Sequence, residues 1–545
     1  MPLIGVEAGA ASAVTWTASA IVAAYLADRL GLALAPLPIL ALSLAAACAV
    51  WVRLRRQAVR DDAAVAAFML IVAGTFAWLM WRARPGFLPT GSGSDLTHHL
   101  ALIAYIEQHR RLPHDAALSA YLGEMVDYTP GLHLLTVLAG AWLRRDALYV
   151  VHAVVSLTAA LKSGIVFLIA RRLMPDGVPR VPFALVSVFL LWLPYVFFVG
   201  SFMEQSFLAQ VTSELFAIAM WWTIVVWDEQ PSGAPMVLFA LFGAAAFLTW
   251  PICVGPLTLT VAAVGLGHRQ LTWARRARPI AIATIPIAIV AAVYTASRQV
   301  YGFRMVNAVG FAIWPAPRLL GWPFIVLAAA GLAWSMRDRR TRSAAVLFAA
   351  IALQGAALIP TGLSSGATTP YLSLKMTYLA IYPMAVGGAF MVAQAWRTVM
   401  PPAAAAGYAW IPMLIVAVGA ARSIASAPAV KPTVTRPAFR AGTWARAHLP
   451  PACVDYLVAD GYTAYWLHLA VLGNPRAGGR ALEDDTFVPQ KAIVRWIFQD
   501  GLPYAIAGDF DALPRDIRAG VDVLARFGPA AVVRRRGASV CDSTP

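Results

Sequence analysis

The chain has 545 residues, of which 60% are hydrophobic and 13% charged, and its mean hydropathy is +0.68. Soluble proteins carry about 25% charged residues, so this composition excludes an ordinary globular protein and indicates a polytopic membrane protein. The net charge of +16 does not indicate nucleic-acid binding, because residues 431–545 hold 14 basic and 11 acidic residues, a balance of only +3. The other basic residues lie between apolar runs, where charges fix topology. We therefore expect no nucleic-acid partner.

Residues 1–426 contain apolar runs long enough to cross a hydrocarbon core of about 30 Å. The run 235–267 is too long for one helix and is interrupted at Thr249-Trp-Pro251, so we count it as two. The first run has no basic region before it and no clear cleavage site, which favours a retained helix over a signal peptide. The total is thirteen predicted transmembrane helices. The other eleven runs lie at about 10–27, 33–52, 62–81, 147–170, 180–200, 205–227, 279–297, 320–336, 343–361, 370–395 and 402–421.

The distribution of arginine predicts the orientation of these helices. With the N-terminus inside, the inner loops hold 16 basic residues and the short outer loops hold four; the acidic Asp228–Glu229 turn is the one weak inner loop. This assignment requires the apolar segment Tyr128–Leu143 to lie at the outer surface without crossing the membrane. The inner arginines are Arg53, Arg55, Arg56, Arg60, Arg171, Arg172, Arg180, Arg269, Arg275, Arg276, Arg278, Arg337, Arg339, Arg340, Arg342 and Arg397. The outer ones are Arg29, Arg298, Arg304 and Arg318.

An odd number of spans places the C-terminal segment outside. A Pro-rich linker, 427–437, precedes residues 438–545, whose mixed composition predicts a small extracytoplasmic α/β domain. Cys453 and Cys541 could form a disulfide in an oxidising compartment, or remain two free thiols. The predicted strands are CVDYLVA, PYAIAG and AAVVRR, and the predicted helices are TAYWLHLAVLG, QKAIVRWIFQD and IRAGVDVLARF.

Residues 82–146 form the long outer loop of the membrane part, and function concentrates in such loops. After a Gly/Ser-rich turn, a helix would bring Asp95, His98 and His99 to one face. This cluster could act as a general base, bind a divalent metal or hydrogen-bond a phosphate. Alternatively, the acidic residue only caps a surface helix and the histidines are interfacial polar residues.

The same loop continues with Tyr128-Thr-Pro-Gly-Leu-His133, an extended turn that leads into an apolar helix. Taken alone, His133 is typical of an interfacial histidine. The order of features is an apolar span, an acidic residue, an amphipathic helix, Tyr-x-Pro-Gly-x-His, a surface helix, a span and an Arg-Arg-Leu inner turn. This order resembles the GT-C glycosyltransferase superfamily, which includes protein O-mannosyltransferases and lipid A aminoarabinose transferases. The motifs cover residues 62–230; the sequence departs from the family in having two spans before the one that leads into the loop.

The resemblance implies a polyprenyl-phosphate sugar as donor and a catalytic role for Asp95. It also implies a second acidic residue in the next outer loop, where the topology places Glu204; the alternative is that Glu204 is an interfacial anchor. We assign Tyr128 and His133 to substrate binding. A divalent metal, Mg²⁺ or Mn²⁺, if used, would be held by Asp95, His98, His99 and Glu204.

Two of the four lysines lie in apolar runs, where a charge is costly unless it is paired or functional. Lys375 lies about one and a half turns below the outer surface. With Tyr371 nearby, it favours binding of a lipid phosphate, although snorkelling is the alternative. For Lys162, snorkelling to the inner face is the easier explanation, and we assign it no role. Arg298 and Arg304, in an outer loop, could grip a phosphate or be solvated loop charges.

We therefore expect a polytopic α-helical membrane protein with about 13 transmembrane helices, GT-C-like, N-in/C-out, in the bacterial cytoplasmic membrane. As an inverting glycosyltransferase it would transfer a sugar from a polyprenyl-phosphate donor to a glycan, lipid or protein acceptor at the outer face. Two alternatives stay open. One is a transporter or flippase of lipid-linked glycan. The other is an outer-face glycan polymerase or ligase with a polyprenyl-pyrophosphate donor, which would depend on Arg298 and Arg304.

Overall fold

The fold is that of a computed structural model, which describes residues 2–91, 94–268, 272–297, 310, 312–364, 369–401, 407–475, 487–498 and 502–538. Helices dominate this part of the chain, and short strands lie near its two ends. The helices are α1 (Gly5–Arg29), α2 (Pro36–Arg55), α3 (Asp62–Arg82), α4 (Ser94–His109), α5 (Ser119–Leu122), α6 (Gly131–Leu143), α7 (Ala147–Leu173), α8 (Arg180–Leu191), α9 (Gly200–Met203), α10 (Leu208–Glu229), α11 (Gly233–Thr249), α12 (Val254–Leu266), α13 (Trp273–Ala296), α14 (Pro317–Leu320), α15 (Trp322–Ser335), α16 (Arg342–Ser364), α17 (Tyr371–Val399), α18 (Trp410–Ala425), α19 (Arg436–His448), α20 (Gly461–Trp466), α21 (Pro489–Ile497) and α22 (Arg515–Ala519). The strands are β1 (Leu3–Ile4), β2 (Ala58–Val59), β3 (Val454–Leu457), β4 (Tyr504–Ala507), β5 (Val521–Phe527) and β6 (Ala530–Arg535).

The protein is a membrane protein by the length and composition of its helices. Eight helices of the described part are long and apolar enough to cross a membrane: α1, α2, α3, α7, α10, α13, α16 and α17. Shorter apolar helices overlap the other predicted runs, namely α8, α11, α12, α15 and α18. The extended residue Trp250 separates α11 from α12, which is where the sequence predicts a break. The total of thirteen spans stays a prediction, because these five helices fall short of a full span.

Buried ion pairs join the helix ends on one side of the bundle. Arg172, at the end of α7, contacts Glu229 at the end of α10 (Nη1 to Oε2, 2.5 Å) and Glu7 at the start of α1 (Nη2 to Oε2, 2.7 Å). The neighbouring Arg171 pairs with Asp61, just before α3. These four helix ends therefore lie on the same side, as the predicted topology requires of inner loops.

The acidic turn between α10 and α11 belongs to the same side. Asp228 pairs with His268 at 2.5 Å and lies near Arg339 and Arg342, while Glu229 also approaches Arg340 at 3.6 Å. The turn that weakened the arginine pattern is therefore neutralised by arginines of another loop on that side. Sequence counts alone treat it as an exception because its partners are distant in the chain.

Helix α6 lies along the opposite side of the bundle. Just before it, the Thr129 hydroxyl donates to the Thr249 carbonyl at the far end of α11 (3.0 Å), and near its other end Trp142 Nε1 donates to the Pro36 carbonyl at the far end of α2 (2.9 Å). Both contacts are at helix ends remote from these ion pairs. This arrangement supports a surface helix rather than a crossing, as the arginine pattern requires.

The C-terminal residues contain a four-stranded sheet in the order β3-β4-β6-β5. Strands β3 and β4 are parallel, and β6 is antiparallel to both of its neighbours. The prediction of a helix at IRAGVDVLARF is wrong: α22 ends before Gly520, and residues 521–527 form β5. Apolar residues at helical spacing suggested a helix, but pairing with β6 satisfies the backbone of this segment and overrides that pattern. The domain limits at 427–437 and 438–545 stay a prediction, and α19 begins within the predicted linker.

The C-terminal segment packs on the long loop 82–146. Thr433 Oγ1 donates to the Gly91 carbonyl at 2.6 Å, and the Tyr121 hydroxyl donates to the Leu469 carbonyl at 3.3 Å. Cys453 is disulfide-bonded, while its predicted partner Cys541 lies outside the described residues. The C-terminal segment and the loop are therefore on the same side of the bundle, away from the ion pairs of Arg171 and Arg172.

Candidate active site

Asp95 lies in the first turn of α4, and its side chain is 56% exposed. Before α4, Gly91 has a φ of +103°, and a Cβ on it would come within 2.0 Å of Ser206 Oγ. Leu96 and Leu100 bury the opposite face of the helix. With these leucines buried, the Asp95 carboxylate lies at the solvent-accessible edge of the loop.

His99, one turn along α4, joins Asp95 to a buried pair of imidazoles. Its Nε2 lies 4.0 Å from Asp95 Oδ1, and its Nδ1 is hydrogen-bonded to His133 Nε2 at 3.0 Å. The ring of Tyr128 contacts both imidazoles edge-on, with centroids 5.1 Å and 5.8 Å away. Burial lowers the pKa of His99, and the nearby Asp95 only partly opposes this, so His99 is neutral at pH 7.

Lys375 of α17 approaches the same place from the bundle. The residue is buried, with 2% exposure, and its ammonium lies over the ring of Phe207 and 5.1 Å from the centroid of Tyr371. Among the described residues no side chain or carbonyl forms a hydrogen bond or ion pair with the Lys375 ammonium. Of the acidic groups that act on it electrostatically, Asp95 has the largest effect. Snorkelling does not describe this lysine, because its ammonium does not reach the exterior.

The charge of Asp95 also acts on two tyrosines of this region. Asp95 interacts electrostatically with Tyr128 and Tyr371. The structure therefore brings together Asp95, Tyr128, His133, Tyr371 and Lys375, five residues that the sequence assigned to catalysis or substrate binding. His99, which the sequence named as a partner of Asp95 and a candidate metal ligand, lies among them.

His98 points away from this cluster. Its Nδ1 is 2.7 Å from Glu124 Oε1, and its Nε2 is 2.9 Å from the hydroxyl of Tyr465. Both ring nitrogens are therefore engaged, one by the loop and the other by the C-terminal segment. Neither Glu124 nor Tyr465 was expected from the sequence, since nothing in the local pattern links positions so far apart.

Glu204 lies beside the cluster rather than in it. Its carboxylate is next to Tyr195 and Arg82, and burial raises its pKa. The segment that carries it packs on the turn before α4, where Ser206 Oγ donates to the Thr90 carbonyl at 3.4 Å. Its predicted catalytic role stays a prediction. Arg298 and Arg304 lie outside the described residues.

The four residues predicted as metal ligands do not fit a metal centre in this arrangement. Within the described ranges no three His, Cys, Asp or Glu side chains are close enough to hold an ion. Asp95 and His99 are neighbours, but His98 is engaged elsewhere and Glu204 faces Tyr195 and Arg82. We therefore derive no step through a metal.

A buried ionic network below the cluster was missed in the sequence. Glu214 of α10 accepts from Lys162 Nζ at 2.6 Å, from the Tyr382 hydroxyl at 2.6 Å and from Gln210 Nε2 at 2.9 Å. The snorkelling interpretation of Lys162 is wrong, because the side chain is buried and paired with this carboxylate. The signal that could have found the network was an acidic residue inside the apolar run 205–227.

No family model and no curated protein matches the chain. ArnT from Cupriavidus metallidurans in the apo state aligns at 14% identity over 85% of this chain and 97% of ArnT, with a TM-score of 0.45. The arabinofuranosyltransferase AftD from Mycobacteria aligns at 15% identity over 87% of this chain and 40% of AftD, with a TM-score of 0.52. An Archaeoglobus fulgidus oligosaccharyltransferase, solved in complex with Zn and sulfate, aligns at 14% identity over 82% and 68%, with a TM-score of 0.47.

These three proteins are glycosyltransferases of the GT-C superfamily. At such identities the AftD alignment shows a shared fold, and the chain spans less than half the length of AftD. The resemblance to the GT-C superfamily is therefore confirmed at the level of the fold. A shared fold does not by itself determine the activity.

Proposed function

We propose that the protein is an integral membrane glycosyltransferase that transfers a sugar from a polyprenyl-phosphate donor to an acceptor at the outer face of the bacterial cytoplasmic membrane. The observation that carries this proposal is the presence of two complementary groups on the loop side of the bundle. Asp95 offers an exposed carboxylate, and Lys375 offers a buried ammonium with no ion pair among the described residues. One group suits an acceptor hydroxyl, and the other suits a leaving phosphate.

The position of Lys375 favours a lipid-linked phosphate. It lies in the second turn of α17, a helix long and apolar enough to cross a membrane, among the rings of Phe207, Tyr371 and Tyr378. A buried ammonium without a carboxylate partner is costly, and an anionic headgroup would supply the missing charge. A polyprenyl chain could then remain in the surrounding lipid.

The proposed reaction is a single displacement. The acceptor oxygen forms a bond to the anomeric carbon, the bond from that carbon to the phosphate oxygen breaks, and Asp95 takes the hydroxyl proton. Polyprenyl phosphate leaves with the bonding electrons, and Lys375 stabilises its charge. We propose inversion at the anomeric carbon, since in a single displacement the acceptor oxygen attacks from the side opposite the departing phosphate. Glu204 would support the site indirectly. Ser206, in the same segment, hydrogen-bonds the Thr90 carbonyl shortly before Asp95 in the chain.

Native mass spectrometry of the purified protein tests the donor class. Wild type should retain a polyprenyl-phosphate sugar, and Lys375→Met should lose it. Arg397→Gln is the matched control, because it also removes a positive charge from α17 but at the opposite end of that helix. If all three proteins carry only bulk phospholipid, the donor proposal is wrong.

Asp95→Asn tests the chemistry separately. We expect this variant to retain the donor lipid and to lower the rate of sugar transfer by about 10²–10⁴-fold, because it loses the group that takes the proton. The measurement is conversion of the co-purified donor to polyprenyl phosphate on addition of acceptor. A flippase would leave the donor intact in every variant, and a polymerase or ligase that relies on Arg298 and Arg304 would tolerate Asp95→Asn.

A further inference from the structure

A cavity lies on the loop side of the bundle, where the ends of α1 and α13 meet the long loop. Its volume is about 500 Å³, including its opening to solvent. Pockets that hold small ligands measure about 300–1,000 Å³. Within the described part of the chain, Lys375 and the rings around it do not line this cavity, so it is distinct from the position proposed for the phosphate. Its polar and aromatic lining residues include Tyr25, Arg29, His114, Asp127, Tyr128 and Tyr294.

Tyr128 lies between this cavity and the Asp95 cluster. It lines the cavity, and its ring contacts that of His99, with centroids 5.1 Å apart. His99 Nε2 lies in turn 4.0 Å from Asp95 Oδ1. The cavity therefore adjoins the position at which an acceptor hydroxyl would meet Asp95.

Arg29 supplies hydrogen-bond donors at the wall of the cavity. Its Nη2 contacts Asp28 Oδ2 at 3.0 Å and His114 Nδ1 at 3.1 Å. Asp28 also accepts from the Leu112 amide at 2.8 Å, which anchors this group to the long loop. Both polar contacts of the guanidinium with described residues use Nη2, so its other nitrogens keep their donors. The Arg29 side chain is 20% exposed, and a ligand can therefore reach it.

The charges around the cavity favour a neutral ligand with hydroxyl groups. Asp28 balances the charge of Arg29, and Asp127 adds a second acidic residue to the wall. An anion would be repelled by Asp127, whereas a hydroxyl group can donate to a carboxylate and accept from a guanidinium. Tyr25 and Tyr294, with ring centroids 6.5 Å apart, add aromatic surface on which the C–H face of a sugar ring can pack.

We propose that this cavity is an acceptor subsite, which binds a neutral sugar unit next to the unit that reacts at Asp95. The acceptor is then a glycan of at least two units rather than a single sugar, a lipid alcohol or a peptide side chain. This inference rests on the glycosyltransferase proposal and narrows its acceptor class. It also gives a role to α1, one of the two spans by which the sequence departs from the GT-C superfamily, because α1 carries Tyr25 and Arg29.

Equilibrium binding of sugars tests the subsite directly. The probes are the methyl glycosides of mannose, galactose and arabinofuranose, each as the single sugar and as its homodisaccharide. They are titrated by saturation-transfer NMR into the full chain in nanodiscs, without glycoside detergent. We expect at least one disaccharide to bind about tenfold more tightly than its single sugar, because it gains a hydrogen bond to a charged group. If no disaccharide binds more tightly than its single sugar, the subsite proposal is wrong.

Two substitutions change the cavity in different ways. Arg29→Gln removes the guanidinium donors, and Ser297→Trp fills the cavity from the end of α13 without removing its charged groups. Both should abolish the preference for the disaccharide, and thermal unfolding separates a loss of binding from a loss of folding. Arg145→Gln is the matched control, because it removes an exposed positive charge from the same loop and does not line the cavity.

Three results of this comparison would overturn the inference. The preference could survive both cavity substitutions, or it could be lost equally in Arg145→Gln. Displacement of the bound disaccharide by inorganic phosphate would show an anion site in place of a sugar site.

Transfer assays separate this inference from the function on which it rests. With the same probes as acceptors, we expect the preferred disaccharide to have a kcat/KM about tenfold above that of its single sugar, through a lower KM. Arg29→Gln should remove this advantage and leave transfer to the single sugar unchanged. If wild type carries no polyprenyl-phosphate sugar and transfers nothing, the glycosyltransferase proposal fails, and the binding experiment still shows whether the cavity holds a sugar. If wild type transfers equally well to the single sugars or to a serine peptide, only the acceptor subsite fails.

Discussion

Two lysines lie inside apolar helices, and their surroundings separate a structural charge from a functional one. Lys162 is paired with Glu214 at 2.6 Å and has rings of Phe198 and Tyr382 nearby. Lys375 has aromatic neighbours too, but no ion pair among the described residues. From the sequence both are simply costly charges, and only Lys375 was expected to act. The pairing of Lys162 could not be foreseen, since Glu214 lies on another helix 52 residues away.

Removing one member of the buried pair should be destabilising. Glu214→Gln leaves the Lys162 ammonium buried without a counter-charge and should lower the free energy of unfolding by about 3–5 kcal/mol. The double variant Lys162→Met/Glu214→Gln should lose less than the single variant, because no uncompensated charge remains. Thermal unfolding of the detergent-solubilised protein, followed by tryptophan fluorescence, measures both.

The exposed pair Arg60–Asp62 provides the control for this cycle. Its side chains are 86% and 72% exposed, so Asp62→Asn should leave the unfolding temperature nearly unchanged. Equal effects of Glu214→Gln and Asp62→Asn would show that Glu214 is not part of a buried pair.

Helix and strand boundaries that depend on local residues can be predicted from the sequence. Elements that depend on pairing with distant residues are missed. The interruption between α11 and α12 follows from Pro251, whose ring cannot continue a helix, and it was predicted correctly. The segment 521–527 forms a strand because β6 pairs with it, and its own apolar spacing gave the wrong answer. The start of α6 depends on both effects, since a Pro-Gly turn can be seen in the sequence but its contact with Thr249 cannot.

That contact makes Gly131 a test of how α6 positions His133. A Cβ at Gly131 would come within 2.3 Å of Thr249 Oγ1 and 2.9 Å of the Leu248 carbonyl, which is backbone and cannot move aside. Gly131→Ala should therefore move the start of α6 away from α11. This should destabilise the protein by about 1–3 kcal/mol and lower its transfer activity. Thermal unfolding and the transfer assay measure these effects.

Gly233→Ala is the matched control, because Gly233 also begins a helix and has nothing within 4 Å of a Cβ. It should be neutral or slightly stabilising, since alanine favours helix. If Gly131→Ala behaves in the same way, the packing of α6 on α11 does not position the site.

For the molecule as a whole, the arrangement of charge agrees with the topology predicted from arginine counts. The ion pairs of Arg171, Arg172 and His268 collect on one side, while Asp95, Lys375 and the C-terminal sheet lie on the other. Counting arginines could predict which loops share a side, because that rule depends only on composition near the helix ends. It could not predict that the C-terminal segment packs on the long loop through Tyr465 and His98, which depends on three-dimensional contacts.

Orientation in the cell is the remaining whole-molecule prediction, and cysteine labelling tests it. In a background with Cys48→Ala and Cys253→Ala, exposed positions are changed one at a time: Arg144→Cys on the long loop, Asp516→Cys on the C-terminal segment and Arg337→Cys on the side of the ion pairs. A membrane-impermeant maleimide applied to spheroplasts should label the first two, and Arg337→Cys only after permeabilisation, because positively charged loops stay inside. Labelling of Arg337→Cys alone would reverse the orientation and move the Asp95 site to the cytoplasmic face. Labelling of Arg144→Cys but not Asp516→Cys would contradict the packing of the C-terminal sheet on the long loop.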